Sequence, residues 1–114
     1  MGVHRGTPDL ALDADPKSGV WVLDTTPYYG STLNWAIVGG TSAASPAAAA
    51  LVNNAGTFNA NSVAELAEIY SNFGNTADFT DVAKGACPNG RFAKATKGYD
   101  LCTGVGTPLG LVGK

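Results

Sequence analysis

The chain is 114 residues long, which is enough for one small domain. Hydrophobic residues make up 45% of it and charged residues only 14%, a composition that forms a core and excludes a disordered chain. The net charge of −2, without any Lys/Arg cluster, argues against a nucleic-acid or anionic-membrane partner. No apolar run reaches the roughly 20 residues of a membrane span, so we expect no membrane partner either.

The N-terminal part of the chain is predicted to form a hairpin. Residues 8–13 (PDLALD) alternate apolar and polar side chains, as a half-buried strand does. Residues 19–25 (GVWVLDT) form a second predicted strand, and the turn-rich residues 14–18 (ADPKS) separate the two. We therefore expect these two segments to pair with each other.

A strand that runs into a helix is predicted next, after a loop at residues 28–30. Residues 35–38 (WAIV) are a short apolar strand followed by two glycines. Residues 42–54 are rich in alanine and strongly helix-forming. Pro46 fits only in the first turn of a helix, so the helix is expected to begin close to Ser42.

A second helix is predicted over residues 62–72. Ser62 and Glu65 have the spacing of a capping box, so Glu65 is interpreted as part of the cap and Glu68 as part of a solvated face. The apolar side chains on one face are Val63, Leu66, Ile69 and Tyr70. Residues 79–82 predict a further short strand, and the rest of the chain is loop.

Ser42 is the candidate nucleophile, within the run GGTSAASP at residues 39–46. A nucleophilic serine needs an exposed hydroxyl and nearby N–H donors for the oxyanion that develops on the substrate. A strand that ends in two glycines and turns at once into a helix supplies both, because the helix N-terminus carries unpaired N–H groups. The same pattern is typical of a helix N-cap at Ser42 or Thr41, and the local sequence leaves both interpretations open.

The chain has two cysteines, Cys87 and Cys102. An even count without other clustered metal ligands suggests one disulfide and an oxidising compartment. The alternative is two free, buried thiols in a cytosolic protein. A bridge would close a loop of about 15 residues, which is worth on the order of 3 kcal/mol.

Three blocks of the sequence resemble the sedolisin (serine-carboxyl peptidase) family of the subtilisin-like clan. The GTSAASP run and its Ala-rich helix are similar to the clan's nucleophile signature. Residues 5–20 (RGTPDLALDADPKSGV) resemble the family's Pro-Asp-Val, Ala-Asp-Pro and Gly-Val segment. Residues 79–82 (FTDV) and 98–108 (GYDLCTGVGTP) resemble its calcium-binding segment and its terminal Thr-Gly-Leu-Gly motif. The blocks follow the family's order and cover nearly the whole chain.

The resemblance implies an α/β fold, namely the C-terminal portion of a subtilisin-like doubly wound parallel sheet with a C-terminal calcium-binding loop. The strand and helix order is compatible with part of such a sheet. Residues 1–114 would then be the C-terminal fragment of a single peptidase catalytic domain whose upstream portion is absent.

The resemblance also implies a serine-type endopeptidase that hydrolyses peptide bonds at acidic pH. In sedolisins a Glu oriented by an Asp replaces the catalytic His, and another Asp completes the oxyanion hole. These three carboxylates lie upstream of the segment that matches here, so the chain carries only Ser42 and is expected to be inactive alone. Asp9, Asp13 and Asp15 are expected to make turn and strand-end hydrogen bonds, and His4, the single histidine, to lie on the surface.

Calcium is the cofactor that the resemblance implies. The ligands would be side-chain oxygens of Asp81 and Asp100 and carbonyl oxygens of Val82, Thr96 and Gly98, with water completing a shell of about six. The family commonly has Ile in place of Val82 and Gly in place of Thr96, which backbone ligands tolerate. The alternative is that the two aspartates cap turns. We hypothesise that calcium and the disulfide together order residues 81–102.

The leading hypothesis is therefore a fragment of a secreted, acid-acting endopeptidase. Its expected partners are a peptide or protein substrate and the missing N-terminal part of the domain. Acidic residues interrupt residues 1–20, so an export signal would lie upstream. Two alternatives remain: a subtilase fragment that uses an upstream Asp and His, and a non-catalytic, calcium-stabilised module or pseudo-peptidase.

Overall fold

A computed structural model of the chain describes residues 6–26, 34–88 and 94–114. The chain divides into two compact units, which we call the core unit (Met1–Ala11 with Ala50–Lys114) and the serine unit (Leu12–Ala49). The elements in chain order are β1 (Val20–Leu23), β2 (Trp35–Val38), α1 (Thr41–Ala55), α2 (Ser62–Ser71), β3 (Phe79–Thr80) and β4 (Thr107–Pro108). His4 and the loop predicted at residues 28–30 lie outside the described residues.

The sheet of the serine unit pairs β1 with β2 in antiparallel orientation. Val20 lies opposite Val38, and Leu23 lies opposite Trp35. The strand predicted at residues 35–38 is confirmed, and so is the core of the one predicted at 19–25. The predicted pairing is wrong, because the partner of β1 is β2.

Residues 8–13 form no strand. The extended part of this segment instead bonds to the C-terminal part of the core unit, where the Val105 N–H donates to the Asp9 carbonyl at 2.8 Å. The Ala11 N–H donates in turn to the Gly106 carbonyl at 2.9 Å. The alternating pattern therefore reflected a half-buried extended segment, but it carried no information about which residues would pair with it.

Helix α1 confirms the predicted Ala-rich helix and begins one residue earlier, at Thr41. Gly56, which follows it, has a positive φ of 69° and ends the helix. Pro46 lies in the second turn and not the first, as had been expected. In an α-helix, the carbonyl of Ser42 would accept the N–H of residue 46. Because Pro46 has no N–H, the Ser42 carbonyl lacks this helical donor.

Helix α2 confirms the second predicted helix, but its cap differs from the prediction. Asn61, not Ser62, precedes the first helical residue, and its side chain accepts the Ala64 N–H at 3.0 Å. Asn is among the strongest N-cap residues, which explains why the helix starts there. Glu65 bonds outside the helix, to the side-chain amide of Asn59 at 2.9 Å.

The hydrophobic core lies in the core unit and is small. Ile69 of α2, Phe79 of β3 and Val105 are buried together, and partly buried Leu10, Leu66 and Tyr99 pack against them. The strand predicted at residues 79–82 is present as β3 over its first two residues and pairs antiparallel with β4. Strand β4 corrects the prediction that the C-terminal stretch is all loop. The buried residues thus join α2 to the segments on either side of the predicted calcium ligands.

Both sheets in the described residues are antiparallel and two-stranded. The doubly wound parallel sheet implied by the resemblance therefore stays a prediction, which concerns a complete domain. Among the described residues, neither helix has the length and apolar character needed to cross a membrane.

Candidate functional site

Ser42 is the second residue of α1, and its side chain is exposed. Gly40 stands immediately before the helix with a φ of +78°, a conformation that side chains disfavour. Its carbonyl accepts the N–H groups of Ala43 at 3.0 Å and Ala44 at 3.3 Å. Gly40 therefore occupies the cap position, and the sequence-based alternative that Ser42 or Thr41 caps the helix does not apply.

The surroundings of Ser42 suit a nucleophile. Within the described part of the chain, its hydroxyl has no hydrogen-bond partner. The N–H groups of Thr41 and Ser42 have no acceptor within the helix, as at any helix start. An exposed hydroxyl next to such donors is an arrangement that could attack a carbonyl and stabilise the resulting oxyanion.

The predicted calcium ligands converge on one short loop. Asp81 accepts the Gly98 N–H through Oδ2 at 2.8 Å, although the two residues lie 17 positions apart. Asp100 accepts the Thr96 N–H through its own Oδ2, also at 2.8 Å. Gly98 has a φ of +85°, so this turn of the loop needs glycine. Val82 is half-buried and follows Asp81 directly.

Asp100 is buried, with 8% of its surface exposed, and it organises its own turn. Its Oδ1 accepts the N–H groups of Cys102 and Thr103, each at 2.8 Å. Burial is the largest single influence and acts to raise the pKa of Asp100. The backbone N–H bonds from Thr96, Cys102 and Thr103 together outweigh it and hold this pKa below its ordinary value.

The donor set fits calcium in kind, since it combines two carboxylates with the backbone carbonyls of the same segments. No ion pair within the described residues neutralises Asp81 or Asp100. The Thr103 hydroxyl adds a contact of 3.2 Å to each oxygen of Asp100, so the lone pairs of this carboxylate are largely taken. Asp100 would therefore exchange at least one of these bonds for an ion. No group of three or more His, Cys, Asp or Glu side chains gathers in the described ranges.

Cys87 and Cys102 form a disulfide, which confirms the pairing predicted from the cysteine count. The alternative of two free thiols is wrong, because no cysteine of the chain is free. The bridge joins the segment after Asp81 to the turn that begins at Asp100. It therefore links the two halves of the predicted calcium site covalently.

The three N-terminal aspartates make the structural hydrogen bonds expected of them. Asp9 accepts the Tyr70 hydroxyl at 2.8 Å, and burial followed by this bond raises the pKa of Tyr70. Asp13 and Asp15 accept the backbone N–H groups of the residues two positions ahead of each.

Two groups of polar contacts in the structure were not predicted from the sequence. Thr103 supports Asp100, and the Asp-x-x-Thr spacing typical of local side-chain-to-backbone bonding would have indicated it. Lys114, only 3% exposed, lies 3.2 Å from Glu65 and 3.5 Å from Glu68, and it also donates to the Thr57 carbonyl. No local pattern indicates that contact. It corrects the assignment of Glu65 to the helix cap, whereas the Glu68 side chain, 36% exposed, stays partly solvated as expected.

No family model matches the chain, and no solved structure matches it. Among curated proteins, the chain is similar to kumamolisin of Bacillus sp. (strain MN-32), with 34% identity over 121 residues. The similarity covers 96% of this chain and 19% of kumamolisin, so the chain spans about a fifth of the length of that relative. The chain is thus related, at the level of the family, to a sedolisin-family peptidase.

Proposed function

We propose that the chain is the C-terminal part of the catalytic domain of a secreted, acid-acting sedolisin-type serine endopeptidase, and that Ser42 is its nucleophile. The observation that carries this proposal is the similarity to kumamolisin, which at 96% coverage of the chain includes the Ser42 region. The exposure of Ser42 beside the free N–H groups of α1 supports the assignment. The doubly wound parallel sheet is part of the same proposal and requires the upstream portion of the domain.

In the proposed reaction, Ser42 Oγ attacks the carbonyl carbon of the scissile peptide bond of a protein or peptide substrate. Its proton passes to a base, and the oxyanion faces the N–H groups at the start of α1. The amine leaves with a proton, and water then hydrolyses the acyl-enzyme. The family resemblance implies that the base and the further oxyanion donor come from the upstream portion, and the roles of Asp9, Asp13 and Asp15 as acceptors of structural hydrogen bonds agree with this.

The test is a chimera in which this chain replaces the matched region of kumamolisin. We expect the chimera to hydrolyse a peptide substrate at acidic pH, the Ser42→Ala variant to show no turnover, and the 114-residue chain alone to show none. Ser45→Ala is the matched control, since Ser45 is another exposed serine of the same helix. Turnover that survives in Ser42→Ala would exclude Ser42 as the nucleophile.

A folded but inactive chimera would favour the second candidate, a non-catalytic module stabilised by calcium. The observation in its favour is that the core unit holds its own buried residues and both aspartates of the predicted site. Circular dichroism of the chimera, measured before the assay, separates this outcome from misfolding.

We also propose that the core unit binds calcium through the side chains of Asp81 and Asp100 and the carbonyls of Val82, Thr96 and Gly98. Calcium would supply positive charge between two carboxylates that no cation of the described residues neutralises. The bonds from Gly98 to Asp81 and from Thr96 to Asp100 support the proposal, because they bring the five residues together.

Calcium binding is tested by thermal unfolding with calcium and with a chelator. At a calcium concentration 100 times Kd, we expect the wild-type chain to gain about 2.7 kcal/mol. Asp81→Asn should lose this gain, whereas Asp24→Asn, which alters an exposed turn elsewhere, should keep it. Unfolding curves that are the same with calcium and with chelator would contradict the proposal.

A further inference from the structure

We propose that Asp13 is a positioning residue for Ser42, acting through the carbonyl of Ala14 and the N–H of Gly40. The inference rests on the proposed role of Ser42 as nucleophile. Asp13 itself is exposed and holds a turn on the serine unit. Its contribution is to fix the backbone from which α1 starts.

The turn depends on the Asp13 carboxylate. Its Oδ1 accepts the Asp15 N–H and the Ser18 hydroxyl, each at 3.0 Å. Asp15 continues the arrangement, since its Oδ1 accepts the Lys17 N–H at 2.9 Å and its carbonyl accepts the Ser18 N–H at 3.1 Å. Oδ1 of Asp13 therefore holds both Asp15 and Ser18 in the turn. These bonds restrain the backbone between Asp13 and Asp15 and with it the direction of the Ala14 carbonyl.

This turn lies directly against the backbone that precedes α1. A Cβ atom on Gly39 would come within 2.6 Å of the Pro16 nitrogen and 2.9 Å of the Ala14 oxygen, so only glycine fits there. Gly19 is confined in the same way against the Val38 carbonyl. Because the two backbones touch without intervening side chains, a shift of the turn is passed on to residues 38–40.

Gly40 connects the turn to the helix. Its N–H donates to the Ala14 carbonyl at 2.6 Å, and its own carbonyl accepts the first N–H groups of α1. The orientation of Gly40 is thus fixed on one side by Ala14 and fixes the first helical turn on the other. Ser42 stands two residues further on, so its Oγ position depends on the Ala14 contact. A misplacement of a reacting group by roughly 1 Å can lower the rate by about 10²-fold.

The experiment compares Asp13→Ala with Asp13→Asn, which keeps an Oδ1 acceptor. In the active chimera, we expect Asp13→Ala to lower kcat about tenfold with KM and the pH profile unchanged. Asp13→Asn should stay within about twofold of the wild type. Asp24→Ala is the matched control: it removes a similar exposed bond, from the Thr26 N–H to Asp24 at 2.8 Å, which does not lead to Gly40.

Hydrogen exchange of the Gly40 amide in the 114-residue chain provides a readout that does not depend on activity. We expect faster exchange in Asp13→Ala than in the wild type, and no change in Asp24→Ala. Ser18→Ala, which removes one of the two bonds to Asp13, should show a smaller increase and serves if Asp13→Ala does not fold. Unchanged Gly40 exchange, an unchanged kcat, or an equal loss in Asp24→Ala would overturn the inference. Turnover in Ser42→Ala would instead overturn the proposed function and leave the Gly40 measurement standing.

Discussion

The two units of the molecule differ in how far their apolar side chains are buried. The core unit buries Ile69, Phe79 and Val105 and ties its C-terminal half together with a disulfide. In the serine unit, none of the described residues is buried. On β1 and β2, the pairs Trp21–Ile37 and Leu23–Trp35 share one face, and all four side chains are exposed.

The predicted nucleophile therefore lies in the unit whose described residues include none that is buried. Burial of apolar surface is the main force that stabilises a fold, and a lone two-stranded sheet is marginal in water. The exposed apolar strands are consistent with the proposed upstream portion, which would cover them in a complete catalytic domain. The upstream portion would then stabilise the serine unit further and also supply the catalytic base.

The largest expected effect tests this contrast directly. Phe79→Ala removes a side chain that is 4% exposed and should lower the free energy of unfolding by about 3–5 kcal/mol. Trp21→Ala removes a larger side chain that is 66% exposed and should change it by no more than about 0.5 kcal/mol. Urea unfolding measures both. Equal effects of the two substitutions would show that the hairpin has a core of its own and would break the comparison.

The disulfide should give the next largest effect. Replacing both Cys87 and Cys102 with Ser opens a link between residues 15 positions apart and should cost about 3 kcal/mol, chiefly by releasing the unfolded chain. A reducing agent should lower the stability of the wild type by a similar amount and leave the double variant unchanged. If reduction has no effect on unfolding, the order of the predicted calcium segment does not depend on the bridge.

The contacts of Glu65 with Asn59 and Lys114 should give the smallest effect, visible as a pH dependence. The bond from the Asn59 side chain, opposed by burial and aided by Lys114, lowers the pKa of Glu65 from its ordinary 4.5. The ionised form is therefore favoured in the fold, and its contribution is present above about pH 4.5 and lost as the pH falls through the lowered pKa. The Tm difference between the wild type and Glu65→Gln should shrink over that range. A constant difference would contradict this assignment.

Much of the secondary structure could be predicted because its signals are local. The alanine run specified α1, the apolar spacing specified α2, and the two glycines marked the turn before Ser42. The disulfide was predicted from the even cysteine count and the lack of clustered metal ligands, and the structure decided against the alternative of two free thiols. The motif resemblance also identified the two aspartates that the structure brings to one loop, although calcium itself stays a proposal.

The sequence by itself determined both helices and the strands β1 to β3, because helix propensity and side-chain periodicity depend on neighbours along the chain. It did not indicate β4, which lies in a stretch predicted to be loop and forms only by pairing with β3. Only the tertiary structure decided what each segment contacts. Residues 8–11 bond to Val105 and Gly106 instead of β1, and Lys114 enters a site between Thr57 and α2. These pairings join residues that are far apart in sequence. A regular pattern of apolar residues does not indicate which distant segment will contact it. For Ser42, the sequence motif indicated a nucleophile. The contact between Ala14 and Gly40, which fixes the start of its helix, could be seen only in the tertiary structure.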